Sequence, residues 1–261
     1  MRATGVAAVC ALVLLAADAS VGFSNCTMHF ANGFKPVEPA GAVQICREGF
    51  LAISYDTVMV DPAWSAYYIT YDDVKTSVPG RDDFYEDPDL RKLGVTQAAV
   101  DSHAFNTTWN RGHLAPSHIM SHTAASKKSC YTMANIAPQG GYFNQQPWNR
   151  LEQQLFDWIL KKRSSLHIIT GVAYKSRSRA VKSYGIAFPD YYWKVACDMD
   201  AGKSFGIYGN NVERGTLTGL VPVSEVEALY GGTLLPRDVC QTDQIDPLYW
   251  FTVKQPGISP H

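Results

Sequence analysis

One segment, residues 147–162, constrains the fold of this 261-residue chain more than any other. Apolar side chains recur in it at helical spacing, at Trp148, Leu151, Leu155 and Ile159. This spacing predicts an amphipathic helix with one apolar face. Pro147 fits the first turn, and the basic run 161–163 suits the C-terminal end. Such a helix needs a second layer to cover its apolar face, and the buried strand predicted for 166–172 supplies one.

Short predicted strands surround this helix. They cover residues 49–55, 64–71, 133–137, 166–172, 191–198 and 204–208, the 133–137 strand being ended by residues 138–141. Residues 110–114 fit either a strand or an extended loop. Residues 81–100 are predicted to form a loop with short helical pieces, and residues 223–230 a short helix. Residues 21–39 are predicted to be a linker. Helices gathered between strands predict an α+β fold with a central antiparallel or mixed sheet flanked by helices.

Residues 1–19 are predicted to be a signal peptide. Arg2 is followed by a short apolar run over 6–17, and Ala17 and Ala19 form an A-x-A cleavage pattern. A membrane anchor is the alternative, but the run is shorter than a spanning helix needs. We therefore expect a secreted, extracellular protein without a membrane anchor after cleavage. No break in composition divides residues 20–261, so they are expected to form one domain.

The cysteines agree with an oxidising compartment. Removal of the signal peptide leaves five of the six, so they cannot all pair within one chain. We expect the disulfides Cys26–Cys46 and Cys197–Cys240. Cys130 is expected to be a buried free thiol, with a partner in another chain as the alternative. Asn25 and Asn106 begin Asn-x-Thr triplets and would accept glycans in a eukaryotic secretory pathway.

Three polar groups of residues lie between positions 110 and 152. They are Asn110-Arg111-Gly112-His113, then Asn135-Ile136-Ala137-Pro138-Gln139, then Asn144 with Glu152. A neutral His can accept a proton from attacking water, and Arg binds phosphate through two hydrogen bonds. An amide oxygen can hold a hydrated Mg²⁺, which neutralises charge on phosphoryl oxygens. These residue types therefore fit the hydrolysis of a phosphodiester.

The spacing of Asn144 and Glu152 places them toward one side of a regular helix. Eight residues at ~100° each give roughly 80° of rotation over two turns. Asn144 is expected at the helix entry, where an asparagine can cap the helix. Glu152, beside the apolar stripe, is expected to accept hydrogen bonds from metal-bound waters. Gly112 is expected to let the backbone turn before His113.

The stretch from Asn110 to Glu152 resembles the DNA/RNA non-specific endonuclease family, the sugar-non-specific nucleases with a ββα-metal, or His-Me finger, site. The family pattern is Asp-Arg-Gly-His, later Asn-x-x-Pro-Gln, then Asn with Trp and Leu-Glu following. In this chain the last positions are Asn144, Trp148, Leu151 and Glu152. Arg81, Phe84 and Asp87 resemble an upstream family segment more loosely.

The resemblance implies a role for each matching residue. His113 corresponds to the general base, Asn144 to the single metal ligand, and Glu152 to the acidic residue beside the metal. Arg111 and Arg81 correspond to substrate-binding arginines, Arg111 also counting among the catalytic residues, and Asn135 to a supporting asparagine. The implied cofactor is Mg²⁺, with Mn²⁺ as a substitute. DNA and RNA are the implied substrates, cut to leave 5′-phosphate ends, whereas the oligomeric state stays open.

Asn110 departs from the family pattern, which has Asp at this position. An amide keeps the hydrogen bonding but carries no charge, so we expect a changed rate or pH optimum. The alternative is a catalytically silent relative that binds nucleic acid or another polyanion. A zinc hydrolase built on His113, His118 and His122 is disfavoured, because the spacing is not that of a metalloprotease helix. A mitochondrial relative is opposed by the predicted signal peptide.

The formal net charge of −1 counts mildly against a nucleic-acid partner, because DNA binders are usually basic. A catalyst that only visits its substrate needs a local basic surface. The basic run of Lys175, Arg177, Arg179 and Lys182 fits either a solvated loop or the flank of a nucleic-acid groove. The aromatic side chains at 191–193 are expected in the core rather than stacked on bases.

Overall fold

A six-stranded antiparallel sheet carries the fold in this computed structural model, which describes residues 22–253. The predicted signal peptide and residues 254–261 lie outside the described residues. The strands in the described range are β1 (Val43–Arg47), β2 (Leu51–Asp56), β3 (Asp61–Ile69), β4 (Trp109–His113), β5 (Ile136–Gly140), β6 (Leu166–Ala173), β7 (Lys182–Ser183), β8 (Ile186–Ala187), β9 (Tyr191–Asp198) and β10 (Lys203–Asn210). The order in the main sheet is β1-β2-β3-β6-β9-β10, while β4–β5 and β7–β8 form two-stranded sheets.

Short helices connect these strands. They are α1 (Tyr71–Val74), α2 (Pro88–Lys92), α3 (Ala124–Cys130), α4 (Gly141–Phe143), α5 (Asn149–Lys162) and α6 (Val223–Tyr230). Single 3₁₀ turns occur at Thr27–His29, Ala31–Gly33, Met133–Asn135 and Arg177–Arg179. Within the described residues, no helix is both long enough and apolar enough to cross a bilayer.

Strand alternation gives the main sheet two apolar faces, as the two-residue period of a strand requires. On β9, Tyr192 and Ala196 pack with α5, whereas Trp193 and Val195 pack on the opposite face with α6. Both faces are covered, so the strands are almost wholly buried. The predicted α+β class is confirmed, and every pairing in the main sheet is antiparallel rather than mixed.

The ββα unit lies on the α5 face of this sheet. Strands β4 and β5 pair antiparallel, with His113 opposite Ile136 and Asn110 opposite Gln139. The chain then passes directly from β5 into a helical stretch made of α4, a π-helical turn at Asn144–Trp148, and α5. The two strands and this helix hold the residues of all three sequence motifs.

Several predicted element boundaries are wrong. The helix begins six residues earlier than predicted, at Gly141, so Pro147 lies inside it rather than in its first turn. The wide turn accommodates Pro147, which lacks an N–H group and crowds the preceding turn of a regular helix. Residues 133–135 form a 3₁₀ turn, and Pro138 lies within β5 instead of ending it.

The N-terminal region is not a linker. Phe23, Phe30 and Ala31 are buried against Trp64 of β3, and β1, which the sequence analysis missed, forms an edge of the main sheet. The Cys26–Cys46 disulfide fastens this region to β1, and Cys197–Cys240 ties β9 to the segment after α6. Both predicted disulfides are confirmed, and Cys130 is a buried free thiol, as expected.

Candidate active site

A cleft of about 680 Å³ opens beside the ββα unit. Five of the predicted site residues line it: Arg81, Asn110, Arg111, His113 and Asn144. The last residue of β4, the π-helical turn and the loop before α2 therefore meet at one place. Asn135 and Glu152 are not among the lining residues.

His113 is held between two aromatic rings. Its imidazole centroid lies 5.3 Å from the Phe84 ring and 5.1 Å from the Tyr131 ring. Its Nε2 atom is buried and has no hydrogen-bond partner within residues 22–253. Burial, assisted by the positive charge of Arg81, lowers the pKa of His113 to about 4. The imidazole is therefore neutral near pH 7, as a proton acceptor must be.

Phe84 is shared by the basic side chains of the cleft. The guanidinium carbons of Arg81 and Arg111 each lie 5.5 Å from the centre of its ring. Arg111 also donates from Nη2 to the carbonyl of Val100, while its Nε is buried without a partner among the described residues. Burial and the nearby charge of Arg81 lower the pKa of Arg111. The two guanidinium groups repel each other, and an anion bound between them would relieve this repulsion.

The loop that carries Arg81 is fastened from α3. The buried ammonium of Lys127 donates to the carbonyls of Val78 at 2.9 Å and Pro79 at 2.8 Å, and also to that of Gly80. All three of its N–H groups are thereby used, so Lys127 supports the loop and is not a cleft cation. At the other end of the loop, buried Asp87 accepts from Thr132 Oγ1 at 2.8 Å.

Asn135 fastens the chain that follows His113. Its Oδ1 accepts from the Ala115 N–H at 3.0 Å and from Ser65 Oγ at 2.8 Å. Its Nδ2 donates to the carbonyls of Ala115 at 3.0 Å and Cys130 at 2.8 Å. The amide is fully buried and uses its donors and acceptor on other parts of the chain, which fits a supporting position rather than contact with substrate.

Asn144 occupies the first position of the π-helical turn, so it is not the cap of the helix. The backbone N–H of Asn149 bonds the carbonyl of Asn144, five residues back, which is the bond of a π turn. Its partly exposed carboxamide has no hydrogen-bond partner among residues 22–253. The wide turn also means that the roughly 80° separation from Glu152, which holds for a regular helix, does not apply.

The donors around the cleft suit a hard cation that keeps its waters. Asn144 and Asn110 offer amide oxygens, and Mg²⁺ binds through few protein ligands plus water. The described residues contain no cluster of three or more His, Cys, Asp or Glu side chains suited to a metal ion. His113, His118 and His122 each contact different aromatic rings, at Phe84, Phe156 and Phe50.

Asn110 sits on β4 with its side chain at the cleft. Its Nδ2 donates to the carbonyl of Gly141 at 3.5 Å, a long bond to the first residue of the helical stretch. An Asp at this position would lack that donor and add a negative charge. The departure from the family pattern therefore lies among the cleft residues, where a charge would act on His113.

Glu152 lies below the surface and faces Lys194 of β9. Its Oε1 is 3.7 Å from Lys194 Nζ, and the lysine side chain is fully buried. Lys194 also donates to the hydroxyl of Tyr67 at 3.2 Å. Burial raises the pKa of Glu152 and lowers that of Lys194, and each charge partly offsets the shift of the other. About one-tenth of the Glu152 side chain stays exposed.

Gly112 is required for space and not for a turn. Its φ angle is not in the left-handed region, and it lies inside β4. A Cβ atom at this position would stand 2.5 Å from Gln139 Oε1 and 2.6 Å from the hydroxyl of Tyr192. The expected turn is therefore wrong, and the glycine instead lets β4 approach the sheet closely.

Three side chains of the basic run after β6, those of Lys175, Arg177 and Lys182, do not border the cleft. Arg177 pairs with the buried Asp56 at 2.5 Å, and Lys182 donates to the carbonyl of Val58 at 2.7 Å. Lys175 lines a neighbouring cavity. Tyr192 and Trp193 are fully buried, as expected, whereas Tyr191 is partly exposed.

Sequence reasoning missed Phe84 as the shared aromatic support, Lys127 as the loop fastener and Lys194 as the partner of Glu152. Lys194 had a visible signal, because it is a single charged residue in the otherwise largely apolar run 191–197. A charged residue on the inner face of a buried strand requires a partner. Lys127 lies in a polar helix and gave no such signal.

Comparison with known proteins finds relatives of this chain among nucleases. Residues 31–240 match the family model of the DNA/RNA non-specific endonucleases. Nuclease C1 of Cunninghamella echinulata var. echinulata is 26% identical over 80% of this chain and 76% of that protein. The mitochondrial nuclease EXOG of Homo sapiens is 24% identical over 55% of this chain and 41% of its own length. The EXOG protein of Xenopus laevis is 25% identical over 46% of this chain and 33% of its own length.

A solved structure shows the same fold. The chain described in a study of the EndoG/EndoGI complex and the mechanism of EndoG inhibition superposes with a TM-score of 0.60. The match covers 82% of this chain and 93% of the other at 19% identity, so it speaks for the fold alone. The family match spans most of the chain and contains the entire ββα unit. This chain therefore belongs to the DNA/RNA non-specific endonuclease family.

Proposed function

We propose that this protein is a secreted, Mg²⁺-dependent endonuclease that hydrolyses DNA and RNA without regard to sequence, using His113 as general base. The observation that carries the proposal is the meeting of four groups in one cleft. The neutral imidazole of His113, the carboxamide of Asn144 and the two guanidinium groups of Arg81 and Arg111 all lie there. A base, a metal ligand and an anion site are the groups that phosphodiester hydrolysis needs.

The chain's own residues perform three tasks in this mechanism. Arg81 and Arg111 bind the phosphate and orient it, and Phe84 holds both guanidinium groups in place. His113 accepts the proton of the attacking water on its neutral imidazole. Asn144 would hold the hydrated Mg²⁺, or Mn²⁺, which supplies charge neutralisation at the phosphoryl and 3′ oxygens. Departure of the 3′ oxygen leaves a 5′-phosphate end.

Glu152 is proposed as the acidic residue that would accept hydrogen bonds from the metal-bound water molecules. Its side chain is about one-tenth exposed and does not line the cleft, so this role requires waters that reach below the cleft surface. The charge of Lys194 favours the ionised carboxylate of Glu152 against the effect of burial. Asn135 supports the segment after His113 and takes no part in the chemistry.

Secretion is supported by the predicted signal peptide and by two disulfides, which persist in oxidising compartments. The two disulfides argue against the mitochondrial location named for the EXOG relatives. Proteomics of the culture medium or secretory fluid, with the mature N-terminus identified, tests this part independently of activity. A mature protein that retains residues 1–19 contradicts it.

The activity is tested by nicking of supercoiled plasmid and degradation of RNA with Mg²⁺ or Mn²⁺, each with and without a chelator. Cleavage of both polymers that the chelator abolishes supports the proposal. Plasmid that stays intact at acidic, neutral and alkaline pH contradicts the proposed activity. It favours the second candidate, a catalytically silent relative that binds nucleic acid, which the Asn110 departure suggests.

His113→Ala is the decisive variant. We expect cleavage to fall by at least ~100-fold, because general base catalysis contributes about 10²–10⁴-fold. DNA binding, measured with chelator present, should persist, since the arginines remain. His118→Ala, an exposed histidine that lines neither the cleft nor the neighbouring cavity, is the matched control. Cutting by His113→Ala at the control's rate removes His113 from the mechanism.

A further inference from the structure

A second cavity of about 660 Å³ borders the cleft. Asn106 and Trp109 line both spaces, so these two side chains form the wall between them. Trp109 begins β4 and His113 ends it, which separates the two by about 13 Å at ~3.3 Å per strand residue. Any polymer bound at His113 therefore passes close to the second cavity.

Four rings surround the second cavity: His103, Trp109, Tyr184 and Phe188. Trp109 and Phe188 meet edge to face with centroids 4.8 Å apart, and His103 and Tyr184 lie 5.7 Å apart. The Tyr184 side chain is left open to solvent, with the residue 67% exposed. A ring of this kind at the mouth of a cavity offers a stacking surface for a planar ligand.

The second cavity lacks the excess of positive charge that a phosphate site needs, because the ammonium of Lys175 is offset by a carboxylate. Asp190 contributes a carboxylate, whose Oδ2 accepts from the Lys175 N–H at 2.8 Å, and Asn210 contributes an amide. A carboxylate repels a phosphodiester but accepts hydrogen bonds from the amino edges of bases. The phosphate-binding arginines lie on the other side of the wall, in the cleft.

The second cavity is fixed relative to the cleft. The buried Asn211 accepts from the Gly140 N–H at 2.9 Å and donates to the carbonyls of Pro138 and Pro189, each at 2.9 Å. It thereby joins the end of β5 to the segment before β9. These bonds hold the end of β5, which pairs with Trp109, next to the segment that carries Phe188.

We propose that the second cavity binds one unstacked nucleobase of the substrate strand, a few nucleotides from the linkage that is cut. The inference rests on the proposed function and adds a subsite to it. A base that is paired inside a duplex cannot enter, because it must leave the stack first. The enzyme therefore binds single strands and locally unpaired sites in preference to intact duplex.

The test measures KM and kcat on a short single-stranded oligonucleotide and on the same sequence as a duplex. Tyr184→Asn removes the ring while tolerating the positive φ of 52° at this position. We expect a roughly 5- to 100-fold higher KM on the single strand, from the stacking of one base, and an unchanged kcat. Leu248→Ala, an exposed apolar residue outside the second cavity, is the control and should match the wild type.

A second arm changes the substrate and not the protein. A set of oligonucleotides carries one abasic sugar at successive positions, and one position near the cut site should raise the wild-type KM as much as Tyr184→Asn does. At that position the Tyr184→Asn variant should show no additional loss. Equal KM values for Tyr184→Asn and Leu248→Ala, or no sensitive abasic position, overturn the subsite.

Failure of the subsite and failure of the proposed function give different results. A wild type that cleaves nothing contradicts the function, whereas a wild type that cleaves every substrate equally well contradicts only the subsite. Fluorescence anisotropy with the single strand and chelator measures the binding step without any cleavage. Loss of affinity in Tyr184→Asn but not in Leu248→Ala supports the subsite in that assay, and equal affinities contradict it.

Discussion

The imidazole of His113 owes its neutrality to its surroundings. Two aromatic rings exclude water from it and the charge of Arg81 opposes protonation, so its pKa falls to about 4. A base that stays neutral down to that pH remains usable in mildly acidic surroundings. The cost is a weaker proton acceptor, because basicity falls with the pKa. In the family pattern an acidic residue three positions earlier would counteract this effect, and here that position is Asn110.

Asn110→Asp tests this balance at the residue scale. The new carboxylate favours the protonated form of His113 and raises its pKa. We therefore expect the acid limb of the pH profile of kcat/KM to move to higher pH and the rate near neutrality to rise. Profiles of the wild type and the variant on the same substrate, at fixed Mg²⁺, measure the effect. Superimposable profiles would show that this position has no electrostatic influence on the base.

Residue identity was predictable from sequence where a motif carried it. Arg111, His113 and Asn144 were identified by type and spacing, and the structure brings all three to one cleft. Glu152 was identified the same way but lies behind the cleft surface, because its direction depends on the helix between it and Asn144. The motif identified Phe84, but it did not predict that its ring contacts His113 and two arginines, because Arg111 and His113 are distant in sequence.

At the scale of elements, the π-helical turn is the feature that periodicity missed. A regular helical pattern begins after Trp148, so the apolar stripe gives no information on residues 141–147. Proline is common in the first turn of a helix, so Pro147 predicts a helix start there. In the structure the helix widens around Pro147, and the wide turn presents Asn144 to the cleft.

Pro147→Ala tests the wide turn. Alanine restores the N–H and removes the clash, so a regular helix gains as much as ~3 kcal/mol in local preference. We expect equal or greater thermal stability but a higher Mg²⁺ concentration for half-maximal cleavage, since Asn144 would turn away from the cleft. Gln146→Ala, an exposed neighbour in the same turn, is the control. An unaltered Mg²⁺ titration for Pro147→Ala would mean that the turn does not position Asn144.

The contact between α5 and β9 leads to a prediction about stability. Lys194→Met leaves Glu152 buried without its partner, and breaking a buried pair in this way costs about 3–5 kcal/mol. Adding Glu152→Gln should recover part of the loss, because no uncompensated charge remains. Urea denaturation of both single variants and the double variant measures the coupling. Additive losses would show that the two side chains do not interact.

At the scale of the molecule, the sequence did not predict which strands pair with each other over long distances in the chain. Most strands of the main sheet were predicted individually, but β3 pairs with β6, nearly a hundred residues later, and nothing in either strand states this. The edge strand β1 was missed because only five residues form it, and the buried N-terminal segment was missed because its regular structure is limited to two 3₁₀ turns. The α+β class was predictable, since it needs only the kinds of element and their sequence order.

His29 makes the whole molecule sensitive to acid. Its Nδ1 accepts from the Tyr68 N–H at 3.0 Å and its Nε2 donates to the carbonyl of Gly49 at 2.9 Å, so the neutral ring is fully used. Burial, with a further contribution from His167, lowers its pKa from 6.5 to about 4. Below pH 6.5 the unfolded chain binds a proton that the folded protein does not, so stability decreases as the pH falls toward 4.

The expected loss at His29 is up to about 3 kcal/mol, at 1.36 kcal/mol per pKa unit. Thermal unfolding of the wild type and of His29→Gln across this pH range measures it. The variant should be less stable at neutral pH but should lose less on acidification. His103→Gln, at an exposed position, should retain the wild-type slope. A variant slope equal to that of the wild type would assign the acid sensitivity to other groups.

The wall shared by the two cavities has a practical consequence for enzyme production. Asn106 stands at the rim of both spaces and heads an Asn-Thr-Thr triplet, with its Oδ1 accepting from the backbone of Thr108 at 2.9 Å. In a yeast or insect host, an oligosaccharide attached to Asn106 would cover the entrance to both cavities. Protein from a bacterial host would be unglycosylated at this position. We therefore expect glycosylated and unglycosylated preparations to differ in the size of the polymer that they can cleave.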